Sequence, residues 1–224
     1  MFRNIVDALT KNPLLEGAYG RMDEINRITQ EMFILSMRVL VDRKNSPREV
    51  QMKDKMVNSI VEDIRKKVFE YLSVTTSPNI HGGLVLISLV IDYERIGDYA
   101  KDIALMRQEF DFDGDFDPGL KDRMERMEDL ISLMFLESHK AMEEAKGKYP
   151  TTVTHLEEQL KVEYEGLKRY IASNDLDQPE VLTALVSARI MKRIAAHHDN
   201  IASSSVRPFP KLGFKPGSSQ WRED

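Results

Sequence analysis

Asp92-Tyr93-Glu94-Arg95-Ile96-Gly97-Asp98-Tyr99-Ala100-Lys101-Asp102-Ile103-Ala104 sets three carboxylates four residues apart. At about 100° per residue, steps of four drift little around a helix, so Glu94, Asp98 and Asp102 fall on one stripe. About 100 residues later the segment returns as Lys192-Arg193-Ile194-Ala195-Ala196-His197-His198-Asp199-Asn200-Ile201-Ala202. Arg-Ile and Ile-Ala pairs recur in register, while Lys192 and Ala196 stand where Glu94 and Asp98 stood. A duplication with one copy stripped of its acids accounts for both blocks.

Working outward, helix-start signals recur at matching places. Asn12-Pro13 and Asp117-Pro118 each put a capping side chain before a proline at the first helical position. Ser46-Pro47-Arg48-Glu49, Thr154-His155-Leu156-Glu157 and Asp177-Gln178-Pro179-Glu180 place a carboxylate three residues after a cap, the pattern of a reciprocal capping box, and Asn79 supplies the remaining start. Helical segments are expected over 13–43, 47–73, 79–110, 118–148, 152–173 and 178–205. No alternating β-branched run competes with them. The first segment aligns with the fourth through its proline start, and the third with the sixth through the motifs. The second aligns with the fifth through Val57, Val61, Val68, Tyr71 and Leu72 against Leu156, Leu160, Leu167, Tyr170 and Ile171. The fold class is therefore all-α: two tandem three-helix bundles, residues 1–110 and 118–205, joined by the acidic linker 111–117 and followed by an extended or mobile tail, 206–224. Leu84 to Ile91 is apolar nearly all round, which marks the third helix as central. Met124, Met127, Met134 and Met142 read as adaptable core filler.

The paired blocks ERIGDYAKDIA and KRIAAHHDNIA resemble the signature of the PhoU family of phosphate-transport accessory proteins. The resemblance implies a three-helix bundle per repeat, Glu/Asp-x-x-x-Asp motifs and a multinuclear metal cluster. It implies further a regulator that dampens phosphate-starvation signalling through contacts with a phosphate ABC transporter and a sensor histidine kinase. The alternatives are an accessory of a different phosphate transporter, or a metal-binding or metal-dependent helical-bundle enzyme.

The metal reading names Asp54, Asn58, Glu94, Asp98 and Asp102, with Asp54 and Asn58 on the second helix answering the stripe on the third. Oxygen donors suit hard cations, and iron, manganese, magnesium and zinc are the candidates. Asn58 departs from the family by bringing a neutral amide where a carboxylate is usual. Gly97, beside Asp98, is explained by a close helix approach, by a bound species or by packing that asks only for a small residue, as Ala195 at the equivalent place of the second repeat shows. The second repeat, with Lys192 and Ala196, is not expected to hold the cluster, and His197 and His198 read as a surface pair.

Composition narrows the classes further. With 32 basic and 37 acidic side chains the net charge is −5, which disfavours nucleic-acid binding. The absence of cysteine removes disulfides, thiolate nucleophiles and iron–sulfur clusters. Neither a glycine-rich phosphate loop, a Gly-x-Ser-x-Gly elbow nor paired Glu-x-x-His is present, so no catalytic residue is assigned. The opening Met1 to Leu9 is too short and charged for a signal peptide's apolar region, and no run approaches the roughly 20 apolar residues of a membrane span. A cytoplasmic protein is expected, reaching a membrane only through partners and associating as a homodimer. Phe209, Phe214 and Trp221 give the tail the option of packing on a neighbour.

Overall fold

The computed structural model describes residues 13–144, 148–207 and 209–212. The expectations for Met1 to Leu9, for the Asn12 cap and for Phe214 and Trp221 lie outside the described residues. Among the described residues six long helices run in the order α1 (Pro13–Leu40), α2 (Pro47–Val74), α3 (Ile80–Glu109), α4 (Pro118–Glu144), α5 (Lys148–Ser173) and α6 (Gln178–Ser204), with a 3-10 turn at Phe209–Lys211. No strand occurs among the described residues. No helix of the described residues is long and apolar enough to cross a membrane.

The starts follow the local chemistry in part. Ser46 Oγ accepts from the Arg48 amide, Asn79 Oδ1 from Gly82, and Asp117 Oδ1 from Gly119 and Leu120. The reciprocal half of each expected box fails. Glu49 binds Asn45 instead. Asp177 makes no side-chain cap, and Glu180 accepts from the backbone N–H of Asp117, tying the start of α6 to that of α4. Thr154 is not a cap at all: α5 begins at Lys148, and the Thr154 hydroxyl donates to Asp199 Oδ1 at 2.7 Å. Glu180 has a tertiary partner within reach, which a helix end read by itself cannot reveal. Past the ends of α1 and α3 the chain enters the left-handed region at Arg43, Asn45 and Asp111, with φ of 57°, 68° and 51°.

Helices α1, α2 and α3 pack on one another, and α4, α5 and α6 repeat the arrangement. The two bundles meet mainly through α3 against α6, with a smaller contact of α1 on α4. Both α3 and α6 are therefore covered by three neighbours, and the apolar face of α3 is wide for that reason. One continuous core runs through both halves. Met124, Met127, Met134 and Met142 are interior, so they offer no surface for association. In the linker Phe112 and Phe116 enclose the Arg107 guanidinium, whose Nε donates to the Leu40 carbonyl at 2.6 Å. Phe209 and Leu212 pack against the core, with the 3-10 turn on α3, so this part of the tail folds onto its own chain.

Candidate functional site

The stripe on α3 faces α2, but the first repeat answers it with cations of its own. Lys101 Nζ lies 3.0 Å from Asp54 Oδ2 on α2 and 3.0 Å from Asp98 Oδ1 on α3. Burial pulls the Lys101 ammonium down, and the hydrogen bonds and charges of both aspartates outweigh it, so the group sits above its usual value. Asn58 Nδ2 completes the cluster with a long 3.5 Å bond to Asp54 Oδ2. Arg95 Nη1 approaches Asp98 from the solvent side at 3.3 Å. Of the five residues read from the sequence, these geometries unite Asp54, Asn58 and Asp98. Glu94 instead pairs with Arg65 of α2 at 2.7 Å, and Asp102 has no hydrogen bond or ion pair with the other four among the described residues.

The donor set can be tested against a metal directly. Among the described residues no three His, Asp or Glu side chains are gathered around one point. Asp54 and Asp98 already share a cation, and Glu94 holds a guanidinium. Their charges fit one hard ion taken in exchange for the Lys101 ammonium, and they do not fit a multinuclear cluster, which needs several unpaired carboxylates. Beside Glu94 lies an open depression of about 600 Å³ lined by Asn58, Glu62, Arg65 and Lys66.

Gly97 faces the core. A methyl group there would sit 3.6 Å from Met32 Cε and 3.7 Å from Val57 Cγ1, ordinary contact distances, so no close approach demands glycine. In the second repeat the same ridge is stabilised differently. Lys192 stands over the Tyr164 ring at 4.3 Å, and by the repeat alignment these two replace Glu94 and Arg65. An ion pair has become a cation–π contact at one place in the fold.

His197 and His198 do not form a surface pair. His198 is 0% exposed, its Nδ1 lies 3.0 Å from Ser138 Oγ of α4, and its ring meets Phe135 edge-on at 4.2 Å. Burial holds its pKa down to about 3, so the ring is neutral, and its Nε2 has no partner among the described residues. His197 turns the other way and reaches Asp92 Oδ1 of α3 at 2.7 Å, an oxygen that also accepts from Asn200 Nδ2 at 3.1 Å. Adjacent helical positions point about 100° apart, and α6 is flanked by α3 and α4, so each histidine finds a different neighbour.

Lys101, Arg65 and Asp92 are the residues that the stripe alone did not single out. Asp92 had a signal: it is a charge directly after the apolar run that ends at Ile91. Lys101 had a weaker one, since it stands three residues after Asp98, within reach of that carboxylate on one helix.

Comparisons with known proteins bear on the fold. Residues 22–106 match the PhoU domain. The crystal structure of PhoU from Pseudomonas aeruginosa superposes with a TM-score of 0.78 at 20% identity, covering 87% of this chain and 96% of that one. At that identity the likeness concerns the fold. No curated protein matches the chain in sequence.

Proposed function

We propose that this PhoU-domain protein is a non-enzymatic regulator of phosphate uptake, working through contacts with a phosphate ABC transporter and a sensor histidine kinase. The single observation that carries the reading is the PhoU domain at residues 22–106, the segment that contains the whole α3 stripe. The second bundle supports a binding role of the same kind, because it keeps the architecture while dropping the acids at Lys192 and Ala196. A homodimer is part of the same reading. Deleting the gene should switch on the phosphate-starvation response in phosphate-replete cells, and cross-linking should join the protein to the transporter and the kinase. An unchanged starvation reporter in the deletion strain would sink the reading.

The geometry supports one metal arrangement best: a single hard divalent ion, iron, manganese, magnesium or zinc, at Asp54 and Asp98 with the Asn58 oxygen turned inward. Such an ion would add charge to a docking ridge on α2 and α3, with no reaction assigned to it.

A further inference from the structure

In the first bundle Ile25 and Ile28 of α1 and Ile60 and Ile64 of α2 are all buried. The repeat alignment puts Leu130, Leu133, Gln159 and Glu163 at those four places in the second bundle. Two isoleucines of the α2 side have become polar on α5, and polar side chains cannot be left in a dry seam without partners. There the seam opens into a groove of about 360 Å³ between α4 and α5.

Leu130 and Leu133 line the groove from α4 and Val162 from α5. Leu133 is 48% exposed and Val162 64%, and Leu136, at 49%, lies one helical turn beyond Leu133. The fold does not need apolar side chains at these rims. Glu31 and Asp63 occupy the places of Leu136 and Val162 in the first bundle, ion-paired to Lys53 and Lys67. One copy of the duplication thus keeps charge where the other presents leucine and valine to water.

The charges around the groove indicate what covers it. Arg126 is its single lining cation, and it is spent on Glu163 at 3.0 Å and on Asp122. Asp129 lines the same groove with no ion-pair partner among the described residues. The rim is therefore net acidic. The apolar area on offer falls well short of the roughly 800 Å² per partner that a stable protein interface covers. A short helix matches this area and charge better than a second copy of the chain.

We propose that the α4–α5 groove binds an amphipathic helix of a partner protein, whose apolar side chains one turn apart seat on Leu130, Leu133 and Val162 while a Lys or Arg faces Asp129. The proposal rests on the reading of the chain as a protein-binding regulator and adds the surface and the partner's chemistry.

The probe is a labelled synthetic peptide of about four helical turns, leucine on one stripe and lysine at its flanks, titrated by fluorescence anisotropy with the whole chain. Wild type should bind it, and Val162→Asp, which restores the charge of the first bundle at an exposed site, should weaken binding at least tenfold. Gln159→Ile with Glu163→Ile should fill the groove, with the same loss of binding and a higher melting temperature. A peptide with glutamate flanks should bind at least tenfold more weakly than the lysine one. Equal binding of both peptides, or equal binding by wild type and Val162→Asp, would overturn the proposal. So would light scattering in which Val162→Asp converts a dimer to monomer, since the occupant would then be a second copy. If the peptide results hold while gene deletion leaves phosphate signalling unaltered, the groove stands and the phosphate reading fails. The opposite pattern removes only the groove.

Discussion

Tyr99 and His197 hold the same position in the two repeats, and their rings face each other, centroids 5.6 Å apart. Equivalent residues touch in this way only near an axis that exchanges the repeats, so α3 and α6 cross about a pseudo-two-fold. The exchange is imperfect in its chemistry. Arg193 stands over Tyr99 at 5.0 Å, whereas His197 turns its Nδ1 to Asp92.

The Asp92–His197 bond joins the bundles and should be measurable as such. Asp92→Ala leaves the His197 and Asn200 donors without their acceptor in a largely buried place, which should cost about 1–3 kcal/mol. A double-mutant cycle with His197→Ala in urea unfolding should show a coupling of roughly 0.5 kcal/mol or more. Strict additivity would mean that the bond does not link the bundles.

Two glycines should respond oppositely to alanine. At Gly119 a methyl group would overlap the Tyr170 ring, whose hydroxyl donates to Asp117 Oδ1 at 2.7 Å, so the ring must move and that bond is lost. Gly119→Ala should destabilise by about 1–3 kcal/mol. At Gly97 the added methyl finds ordinary contacts in mid-helix, so Gly97→Ala should stabilise by about 0.5–1 kcal/mol. Thermal melts of the two variants check both signs, and a loss at Gly97 would point to a role beyond packing.

Glu128 should make the fold less stable as pH rises. Burial first, then Asp129, Asp42 and Glu125, raise its carboxyl to about 7, against the opposing pull of Arg38. Between an unfolded value near 4.5 and a folded value near 7 the native state holds the extra proton, so its stabilising share is complete below that window and lost above it. Glu128→Gln should raise stability at pH 8 by on the order of 1–3 kcal/mol and flatten the profile between pH 4.5 and 7. Parallel profiles for wild type and variant would contradict this.

His198 acts at the other end of the scale. Buried and neutral, it takes its proton only near pH 3, whereas the unfolded chain takes one near 6.5. The unfolded state therefore binds more protons in that window, and stability should fall as pH drops through it. His198→Gln should lose this part of the acid sensitivity even if it lowers stability at pH 7, and denaturant titrations at pH 7 and 5 separate the two effects.

Lys101 decides whether metal enters the first repeat. Lys101→Met removes the ammonium shared by Asp54 and Asp98, and affinity for manganese, measured calorimetrically, should rise at least tenfold over wild type. Asp98→Ala should abolish binding in either background. Manganese affinity that ignores both substitutions would place the site elsewhere.

Much of the architecture was legible from local chemistry. Prolines at 47 and 118, the Asn79 cap and the Asp177 to Glu180 pattern located the starts of α2, α4, α3 and α6 to within a residue, because first-turn chemistry is written in adjacent residues. The start of α5 was misplaced by the Thr154 pattern, whose threonine and glutamate are engaged on other helices or along α5 itself. The acid stripe was legible for a similar reason, since helical spacing alone puts Glu94, Asp98 and Asp102 on one ridge.

What sequence by itself determined, then, is the set of helices, their duplication and the residues that share a face, all consequences of a 3.6-residue period and of covalent order. Tertiary structure alone decided who answers each charge. Lys101 of α3 meets Asp54 of α2, Glu94 meets Arg65, and His197 and His198 part toward different helices, because pairing depends on distances between elements that the one-dimensional order does not encode. The same holds for the open α4–α5 seam: exchanging Ile60 and Ile64 for Gln159 and Glu163 is visible in the aligned repeats, but only packing turns two polar substitutions into a groove.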